Sequence, residues 1–425
     1  MNLIKTVINI SEKIIGKDNF FRLKLIKLKY IHQKELKRIR KKEKINVVFF
    51  LIHHAVWKYE KLYHLFENDP RFAPSILVCP YMMYSSDVMH KDMNNAYEIF
   101  KKEGYNVKKA LKEDNTWVDV KEELQSDIIF FGNPHFITKP HYYIYYLKNI
   151  LSCYVPYNFG NSHMLNMFHN QDFHNLLWKL FAETEIHKQY SVKTARNKGD
   201  NVVVTGFPGT DVFLETQNKS FENLWKHPHT KKILWSPHHT IDDNKDFISF
   251  SSFNTYHEEI FSLLEKYKGK LEIIFKPHPL LKLKLYDDPD WGKEKTDTYF
   301  SRWETHPYGG LSLGRYEDLF LSSDAMIHDS GSFLIEYLYT EKPVLRTDRD
   351  DSICDRLNSF GKMAYNVHYI AKNLNDIEQF IGMIINSSED TLKEKRKEFK
   401  QQFLLPPNGK TASENIYNFI KSQLE

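Results

Sequence analysis

Short apolar runs alternate with longer amphipathic stretches between residues 45 and 205. Short apolar runs bounded by turn residues predict buried strands, and a 3.6-residue apolar period predicts helices. Strands that are apolar throughout and separated by helices favour a parallel sheet covered on both faces. The predicted strands are 45–52, 75–79, 106–110, 127–131, 151–155 and 201–205, and the predicted helices are 58–66, 91–102, 141–150 and 175–190.

The same alternation resumes at Lys231, after a polar stretch at 212–230 that predicts a linker. The stretch 280–314 is rich in Asp, Trp, Tyr and Gly, and its length predicts a functional or mobile loop. The predicted strands are 232–235, 271–275, 325–328, 343–345 and 363–366, and the predicted helices are 255–267, 316–321, 331–339, 377–385, 390–403 and 412–424. The pattern therefore predicts two α/β domains, 45–211 and 231–411, followed by a C-terminal helix at 412–425.

Charge is distributed unevenly along the chain. The net charge is +4, yet residues 1–44 hold 14 Lys/Arg and 4 Asp/Glu, which is +10 and leaves 4 − 10 = −6 for the rest. Apolar residues between these charges predict two helical segments around Gly16. A basic amphipathic helix suits an anionic membrane surface. A solvated helix packed on the body is the alternative, and no nucleic-acid motif accompanies the charge.

Composition excludes several classes of protein. The 425 residues are 27% charged, and no apolar run approaches the length of a membrane span. The three cysteines are far apart, and the N-terminus lacks a convincing secretion signal, so a cytoplasmic protein is expected. The absence of Gly-x-Gly-x-x-Gly, Walker A, His-Glu-x-x-His and Asp-x-Asp patterns argues against dehydrogenases, P-loop enzymes and metal-dependent transferases. We expect no cofactor and no metal site.

Polar side chains follow three predicted strands of the second half. Lys276 and His278 stand among prolines that stiffen the turn after 271–275, and His238 and His239 follow 232–235. The turn after 325–328 offers backbone N–H groups and hydroxyls at the start of a helix, which suits a phosphate. The predicted phosphate-binding residues of this turn are Asp329, Ser330, Gly331 and Ser332. Glu336 on the next helix is predicted either to hold a ribose or to be an ordinary surface residue.

Histidines follow predicted strands of the first half as well. His53 and His54 come after 45–52, and His135 comes after 127–131. Because ligands of parallel sheets bind beyond the carboxyl ends of the strands, His53 and His135 are candidate active-site residues. Asp211 closes this half in the turn Gly206-Phe207-Pro208-Gly209-Thr210-Asp211 and is a candidate substrate-binding residue.

The motifs of the second half resemble those of the CDP-glycerol glycerophosphotransferases, the teichoic acid primases and polymerases and their capsule-building relatives. The turn ending at Asp211 is similar to the Gly-Tyr-Pro-x-x-Asp turn of that family, and 408–416 looks like the start of its final helix. The resemblance covers roughly residues 150–420. It rests on Lys276-Pro277-His278-Pro279, on 323–332, on Glu336-Tyr337 and on Lys342-Pro343-Val344-Leu345.

The resemblance implies a GT-B fold, with two doubly wound Rossmann-type domains facing a cleft, the first for the acceptor and the second for the nucleotide donor. It implies a CDP-linked polyol donor, a polysaccharide or lipid-linked acceptor, release of CMP, and attachment to the inner face of the cell membrane. Lys276 and His278 would stabilise the phosphates, and Glu336 would hold the ribose. The family's Trp-His-Gly-Thr motif, whose His is the presumed base, is absent, and Tyr157 or Asn158 stands in its place.

This departure leaves the base open among the nearby histidines His163, His53, His54 and His135. Two other functions remain open. A sugar-transferring GT-B enzyme or a nucleotide-sugar epimerase would use the same phosphate site with a hexose nucleotide. A catalytically silent, membrane-associated partner in a capsule assembly complex would need no donor motifs at all.

Overall fold

The computed structural model describes residues 16–215, 224–241 and 249–425. The chain forms two compact units. The first consists of the chain up to Asn158 together with Leu165–Asp211 and Pro406–Glu425, and the second consists of Phe159–Met164 and Val212–Leu405. Each unit therefore contains a segment from the sequence range of the other.

The first unit is built on a seven-stranded parallel sheet with the strand order β3-β2-β1-β4-β5-β6-β7. Neighbouring strands run outward from β1 in both directions, so the order reverses between β1 and β4. Apolar side chains fill both faces of β1, because its residues from Val47 onward are all buried. The strands are β1 (Ile45–Leu51), β2 (Phe72–Val78), β3 (Val107–Lys109), β4 (Ile128–Phe131), β5 (Leu151–Tyr154), β6 (Lys179–Ala182) and β7 (Val202–Val204).

Helices cover this sheet. Leu28 of α1 packs in the core cluster that contains Val48 and Ile129, so one face of the N-terminal helix belongs to the body of the unit. The helices are α1 (Lys17–Ile39), α2 (Glu60–Glu67), α3 (Ser86–Lys102), α4 (Leu165–His169), α5 (Asp172–Leu176) and α6 (Glu185–Thr194). The final helix of the chain, Ala412–Leu424, also belongs here. Helix α7 (Asp211–Leu214) starts at the last residue of the segment Leu165–Asp211 and lies mostly in the second unit.

The second unit is built on a six-stranded parallel sheet with the order β10-β9-β8-β11-β12-β13. Its strands are β8 (Lys231–Ser236), β9 (Leu271–Phe275), β10 (Gly309–Leu311), β11 (Ala325–His328), β12 (Val344–Thr347) and β13 (Tyr369–Ala371). Its helices are α8 (Phe253–Lys266), α9 (Leu281–Asp287), α10 (Gly292–Thr305), α11 (Glu317–Ser322), α12 (Phe333–Glu336), α13 (Ser359–Tyr365), α14 (Leu374–Ile385) and α15 (Lys393–Phe399). A π-helical turn follows at Lys400–Leu404, and the helix of the first unit at Ala412–Leu424 is α16. Two doubly wound parallel sheets confirm the predicted fold class.

The helix predicted at 175–190 is wrong. The apolar run through Leu180 forms β6, where Leu180 pairs with Val202 of β7. Helix α6 starts only after Thr184, whose hydroxyl accepts the N–H of His187. A run of apolar residues fits a strand or a helix equally, and pairing with β7 decides for the strand.

Three other predictions also fail locally. The segment 141–150 forms 3-10 turns at Pro140–Tyr142 and Ile144–Tyr146, where the Tyr142 hydroxyl donates to the Val118 carbonyl at 2.8 Å. The segment 363–366 lies mostly in α13, which Asn358 caps, and the strand forms later as β13. The stretch 280–314 contains α9, α10 and β10 and is not a structureless loop.

The N-terminal prediction is tested only in part. Of the two helical segments predicted around Gly16, the second is α1, and residues 1–15 lie outside the described part of the chain. Within residues 16–215, 224–241 and 249–425, no helix combines the length and the apolar character that a membrane span requires.

Candidate active site

The second unit gathers its predicted site residues at one edge of the sheet. Strand β8 lies between β9 and β11 in the sheet, and the order reverses between β8 and β11. The segments that follow these three strands therefore meet at the carboxyl edge, where parallel sheets bind their ligands. His238 follows β8, Lys276 and His278 follow β9, and Asp329 follows β11.

Three imidazoles form a cluster at this edge. The ring of His278 lies 5.1 Å from that of His238 and 4.2 Å from that of His239, measured between centroids. One ligand atom from each ring lies within 4.8 Å of the others, which is a spacing that a metal ion could bridge. The sequence alone offered only Asp242 and Asp243 as partners for His238 and His239, and those two lie outside the described residues.

A backbone donor fixes the tautomer of His278. The Leu280 N–H donates to His278 Nδ1 at 3.1 Å, whereas Nδ1 of His238 lies 2.8 Å from the Thr240 hydroxyl, which can donate or accept. A nitrogen that accepts a hydrogen bond carries no proton, so the neutral His278 ring holds its proton on Nε2. An Nε2–H group is a donor and not a metal ligand, so His278 suits an anion better than a cation.

The surroundings of the cluster are cationic. Burial is the main cause that lowers the pKa of His278 to about 3, and His239, Lys276 and Lys284 add to it. Burial also holds the pKa of His238 well below its ordinary value, so both rings are neutral at physiological pH. Neutral N–H donors surrounded by cations form a site for an anionic ligand.

Lys276 is the cation closest in sequence to this cluster. Its side chain is only 4% exposed, and burial lowers the pKa of its ammonium to about 8, against the influence of Glu317. Among the described residues no carboxylate forms an ion pair with Lys276. Because buried charges are normally paired, an ammonium without a partner points to an anionic ligand.

Asp329 organises the site. Its carboxylate accepts the backbone N–H of His238 through one oxygen, and the N–H and hydroxyl of Ser252 through the other. Burial raises the pKa of this carboxyl to about 6. Asp329 thus ties the segment after β8 to the turn after β11 and leaves no oxygen directed at solvent, since it is 1% exposed.

Two side chains, those of Arg346 and Asn161, hold the turn after β11 in place. Arg346 is fully buried, donates from Nη1 to the Ser330 carbonyl at 3.0 Å, and pairs with Asp348 through Nε at 3.1 Å. The Asn161 amide donates to the Gly331 carbonyl. A Cβ at Gly331 would come within 3.3 Å of the Phe250 ring, so a larger residue would crowd this turn.

The predicted phosphate turn differs from the expectation in two respects. The Ser330 N–H donates to His328 Nδ1 at 3.1 Å and is therefore engaged within the turn. The helix expected from Gly331 to Tyr339 is α-helical only over Phe333–Glu336 and continues as a 3-10 turn at Tyr337–Thr340. Such a short helix has a weak dipole, so hydroxyls and the neighbouring imidazoles matter more here than the helix end.

Glu336 is not a surface residue. It is 3% exposed, and burial raises the pKa of its carboxyl to about 7. The Tyr316 hydroxyl donates to Glu336 Oε2 at 2.5 Å, and the Tyr316 ring packs on Phe333. A buried carboxylate held by a tyrosine can accept a hydrogen bond from a ligand hydroxyl.

The first unit has its own candidates at its carboxyl edge. His53 follows β1 and pairs through Nδ1 with Asp92 Oδ2 at 3.1 Å. His135 follows β4, and its ring lies 6.0 Å from that of Tyr157; burial lowers its pKa. Strands β1 and β4 are neighbours, so both histidines lie along one edge of the sheet. His54 lies in a 3-10 turn beside His53.

Asp211 has a structural role, because it holds the start of α16. Its two carboxylate oxygens accept the N–H groups of Ala412 and Ser413 at 2.8 and 2.9 Å, which caps α16. Gly206, at the start of the same turn, approaches this region so closely that a Cβ would lie 2.8 Å from Pro406. Two motifs of the sequence that are about 200 residues apart therefore form one structural contact, and both carboxylate oxygens of Asp211 have backbone partners.

His163 has the geometry of a general base. Its Nδ1 lies 2.9 Å from the Arg356 carbonyl oxygen, so Nδ1 donates, and in the neutral ring the lone pair is on Nε2. The segment 159–164 belongs to the second unit, where Asn161 contacts the turn at Gly331. The sequence left the general base open among several histidines, and the contact of Asn161 with Gly331 is what places His163 near the turn.

The family model of the CDP-glycerol:poly(glycerophosphate) glycerophosphotransferases matches residues 160–422. The chain belongs to this family. It is a transferase that uses CDP-glycerol as donor of glycerol phosphate, as the C-terminal motifs predicted. No curated protein sequence matches the chain significantly.

Solved structures share the fold of this glycerophosphotransferase at low sequence identity. A variant of the wall teichoic acid polymerase TagF aligns with a TM-score of 0.59 and 14% identity, over 96% of this chain and 97% of that one. The UDP complex of S. aureus MnaA aligns with a TM-score of 0.55 and 16% identity, over 90% and 97%. UDP-GlcNAc 2-epimerase from Neisseria meningitidis, bound to UDP-GlcNAc, aligns with 0.53 and 15%, over 89% and 100%. The epimerases are relatives in fold.

Proposed function

We propose that this glycerophosphotransferase extends a capsule or teichoic-acid-like polymer at the inner face of the cell membrane. A hydroxyl of a polysaccharide or lipid-linked acceptor attacks the glycerol-bearing phosphorus of CDP-glycerol. A new P–O bond forms, the bond from that phosphorus to the bridging oxygen breaks, and CMP leaves with the electron pair. The hydroxyl proton passes to a base of the enzyme.

The donor diphosphate lies at the carboxyl edge of β8 and β9 in this proposal. The observation that carries it is the buried Lys276, 4% exposed and without an ion-pair partner among the described residues, beside the imidazole of His278. Lys276 offsets the charge that develops on the departing CMP, and the Nε2–H group of His278 donates to a phosphate oxygen. Ser332 lines the same turn, and Glu336 accepts a hydrogen bond from the ribose. The reaction needs no metal and no cofactor.

His163 is the base in this proposal. In its neutral form the ring carries the free lone pair on Nε2, because Nδ1–H donates to the Arg356 carbonyl. It lies a few residues beyond Tyr157 and Asn158, which occupy the place of the family histidine. Proton transfer to a positioned imidazole of this kind contributes about 10²- to 10⁴-fold to rate.

The outer face of α1 supports attachment to the membrane. Leu23, Ile26 and Tyr30 are 53%, 63% and 72% exposed, and they form a stripe at spacings of three and four residues. The exposed charges beside this stripe, at Arg22, Lys27 and Lys34, are basic. An apolar stripe with flanking cations suits an anionic lipid surface, to which each basic residue contributes about 1 kcal/mol.

Release of CMP tests the proposed reaction. Purified protein incubated with CDP-glycerol and anionic membranes that carry acceptor should release CMP and form a new phosphodiester on the acceptor. A thermal-shift measurement is the control. CDP-glycerol at 100 times its Kd should stabilise the protein by about 2.7 kcal/mol and so raise its melting temperature, whereas UDP-sugars should leave the melting temperature unchanged. A shift with a UDP-sugar and none with CDP-glycerol would refute the proposal.

A further inference from the structure

The first unit exposes aromatic side chains on the connection between β4 and β5, residues 132–150. Tyr146 is 68% exposed, and Phe136 and Tyr145 are exposed as well. The Phe136 ring lies 4.7 Å from that of Tyr143 and 5.8 Å from that of Tyr145, measured between centroids. We call Phe136, Tyr145 and Tyr146 the aromatic surface. Contiguous apolar side chains that remain exposed mark an interaction site.

The aromatic surface lies on the same side of the sheet as α1. Leu28 of α1 and two residues of the connection, Ile144 and Leu147, pack in one core cluster with Phe50 and Phe131 of the sheet. Helix α1 and the connection therefore cover the same face of the sheet. Their outer sides, which carry the exposed α1 stripe and the aromatic surface, point away from that face.

Arg196 and Asp172 join α1 to the aromatic surface. The Arg196 guanidinium lies 3.6 Å from the centre of the Phe21 ring of α1 and pairs with one oxygen of Asp172. The other oxygen of Asp172 accepts the Tyr145 hydroxyl at 2.9 Å. Both oxygens of this carboxylate are thereby engaged, and Arg196 offsets its charge. The stripe and the aromatic surface are thus held in a fixed relation to each other.

The charge around the aromatic surface favours an anionic partner. The connection 132–150 contains Lys139 and Lys148 and no Asp or Glu, and Lys148 is exposed two residues after Tyr146. Tyrosine, with an apolar ring and a polar hydroxyl, is enriched where lipid headgroups meet hydrocarbon. A second copy of this chain, related by a twofold axis, would instead bring these cations and the basic residues of α1 against their own counterparts. A lipid surface therefore fits better than a second copy.

We propose that the aromatic surface is a second membrane contact, whose rings enter the headgroup region of an anionic bilayer beside α1. Two contacts fix the orientation of the first unit on the membrane, whereas one helix would leave the unit free to rotate about the helix axis. Phe136 follows β4, so the carboxyl edge where His53 and His135 lie is held next to the lipid. A lipid-linked acceptor can then reach this edge without leaving the bilayer. The inference rests on the attachment through α1 in the proposed function.

Cosedimentation of the full chain with vesicles of phosphatidylglycerol and phosphatidylcholine tests this inference. Tyr146→Ser should weaken vesicle binding about tenfold, because the apolar area of the ring no longer leaves water. Tyr146→Trp should retain binding, since tryptophan also prefers the interface. Lys148→Gln should weaken binding about fivefold, as expected for one basic residue near anionic lipid. The matched control is Leu405→Ser, at an exposed site in the second unit, which should bind as wild type does.

The possible failures are distinguishable. If Tyr146→Ser binds vesicles as wild type does and Ile26→Glu does not bind, attachment through α1 stands and only this inference fails. If wild type does not bind vesicles, the attachment in the proposed function fails too. A wild-type dimer that Tyr146→Ser converts to a monomer in sedimentation velocity would make the aromatic surface an interface between copies and overturn the inference. The thermal shift produced by CDP-glycerol checks the fold of each variant.

Discussion

The backbone N–H of Leu280 donates to Nδ1 of His278 at 3.1 Å, which leaves the proton of this neutral ring on Nε2. His278 therefore offers a hydrogen-bond donor to a phosphate without becoming charged. A glutamine amide reaches the position of Nε2, whereas an asparagine amide reaches that of Nδ1. We expect His278→Gln to retain measurable affinity for CDP-glycerol and His278→Asn to lose about 10-fold or more, in calorimetric titrations. Equal losses in both variants would contradict the assigned tautomer.

The tautomer of His278 also predicts that the transfer reaction does not need a metal ion. Prolonged dialysis against EDTA should leave CMP release unchanged, because Nε2 of His278 is a donor and not a free metal ligand. Restoration of activity by Zn²⁺ in the dialysed protein would show instead that the three imidazoles act as ligands.

Lys276 predicts an alkaline limb in the pH profile. Burial lowers the pKa of its ammonium to about 8, so the cation is present below that pH and is lost as pH rises through it. We expect kcat/KM for CDP-glycerol to fall above about pH 8, since kcat/KM reports the free enzyme. Lys276→Arg should shift this limb to higher pH because arginine stays charged, and Lys276→Met should cost on the order of 10²-fold. An unchanged limb in the arginine variant would assign it to another group.

His163 and His53 form a matched pair for locating the base. Both rings commit Nδ1 to an oxygen, His163 to a carbonyl and His53 to the Asp92 carboxylate. We expect His163→Ala to lower kcat by about 10²- to 10⁴-fold with little change in the KM of CDP-glycerol. The His53→Ala variant is assayed in parallel. A loss of kcat confined to His53→Ala would move the base to the first unit.

The α1 stripe predicts a selective loss of membrane binding. Ile26→Glu should abolish cosedimentation with vesicles that contain phosphatidylglycerol, because it places a charge in the apolar stripe. Leu405→Glu changes a residue of comparable exposure, 49%, outside the helix and should bind as wild type does. The thermal shift produced by CDP-glycerol, which needs no membrane, serves as the check on folding. Equal binding by both variants would show that α1 does not face lipid.

Local pattern predicted the α/β alternation and most strand positions, because buried parallel strands carry unbroken apolar runs. It also predicted that His238 and His278 end strands. The convergence of their imidazole rings depends on β8 and β9 being neighbours in the sheet, and strand order is not encoded locally. The 175–190 error has the same origin, since only pairing with β7 makes that apolar run a strand.

Asp211 is a second case in which local sequence could not predict a contact with residues far away in the chain. Its motif predicted a turn and suggested a substrate contact, whereas its partners, Ala412 and Ser413, are about 200 residues away in sequence. We expect Asp211→Ala to lower the free energy of unfolding by about 1–3 kcal/mol in urea titrations, because two buried N–H groups lose their acceptor. A change in the Kd of CDP-glycerol with no change in stability would instead support the substrate contact.

The return of the chain to the first unit at Pro406 has a consequence for biosynthesis. Because α16 and its contact with Asp211 complete the first unit, residues 212–405 of the second unit are synthesised in full before the first unit can finish folding. Domains generally fold as they emerge from the ribosome, but here the first unit cannot finish folding until the second unit has been synthesised. Throughout that interval, the incomplete first unit exposes the apolar surface that α16 later covers. We therefore expect chaperones to bind the nascent chain at this stage.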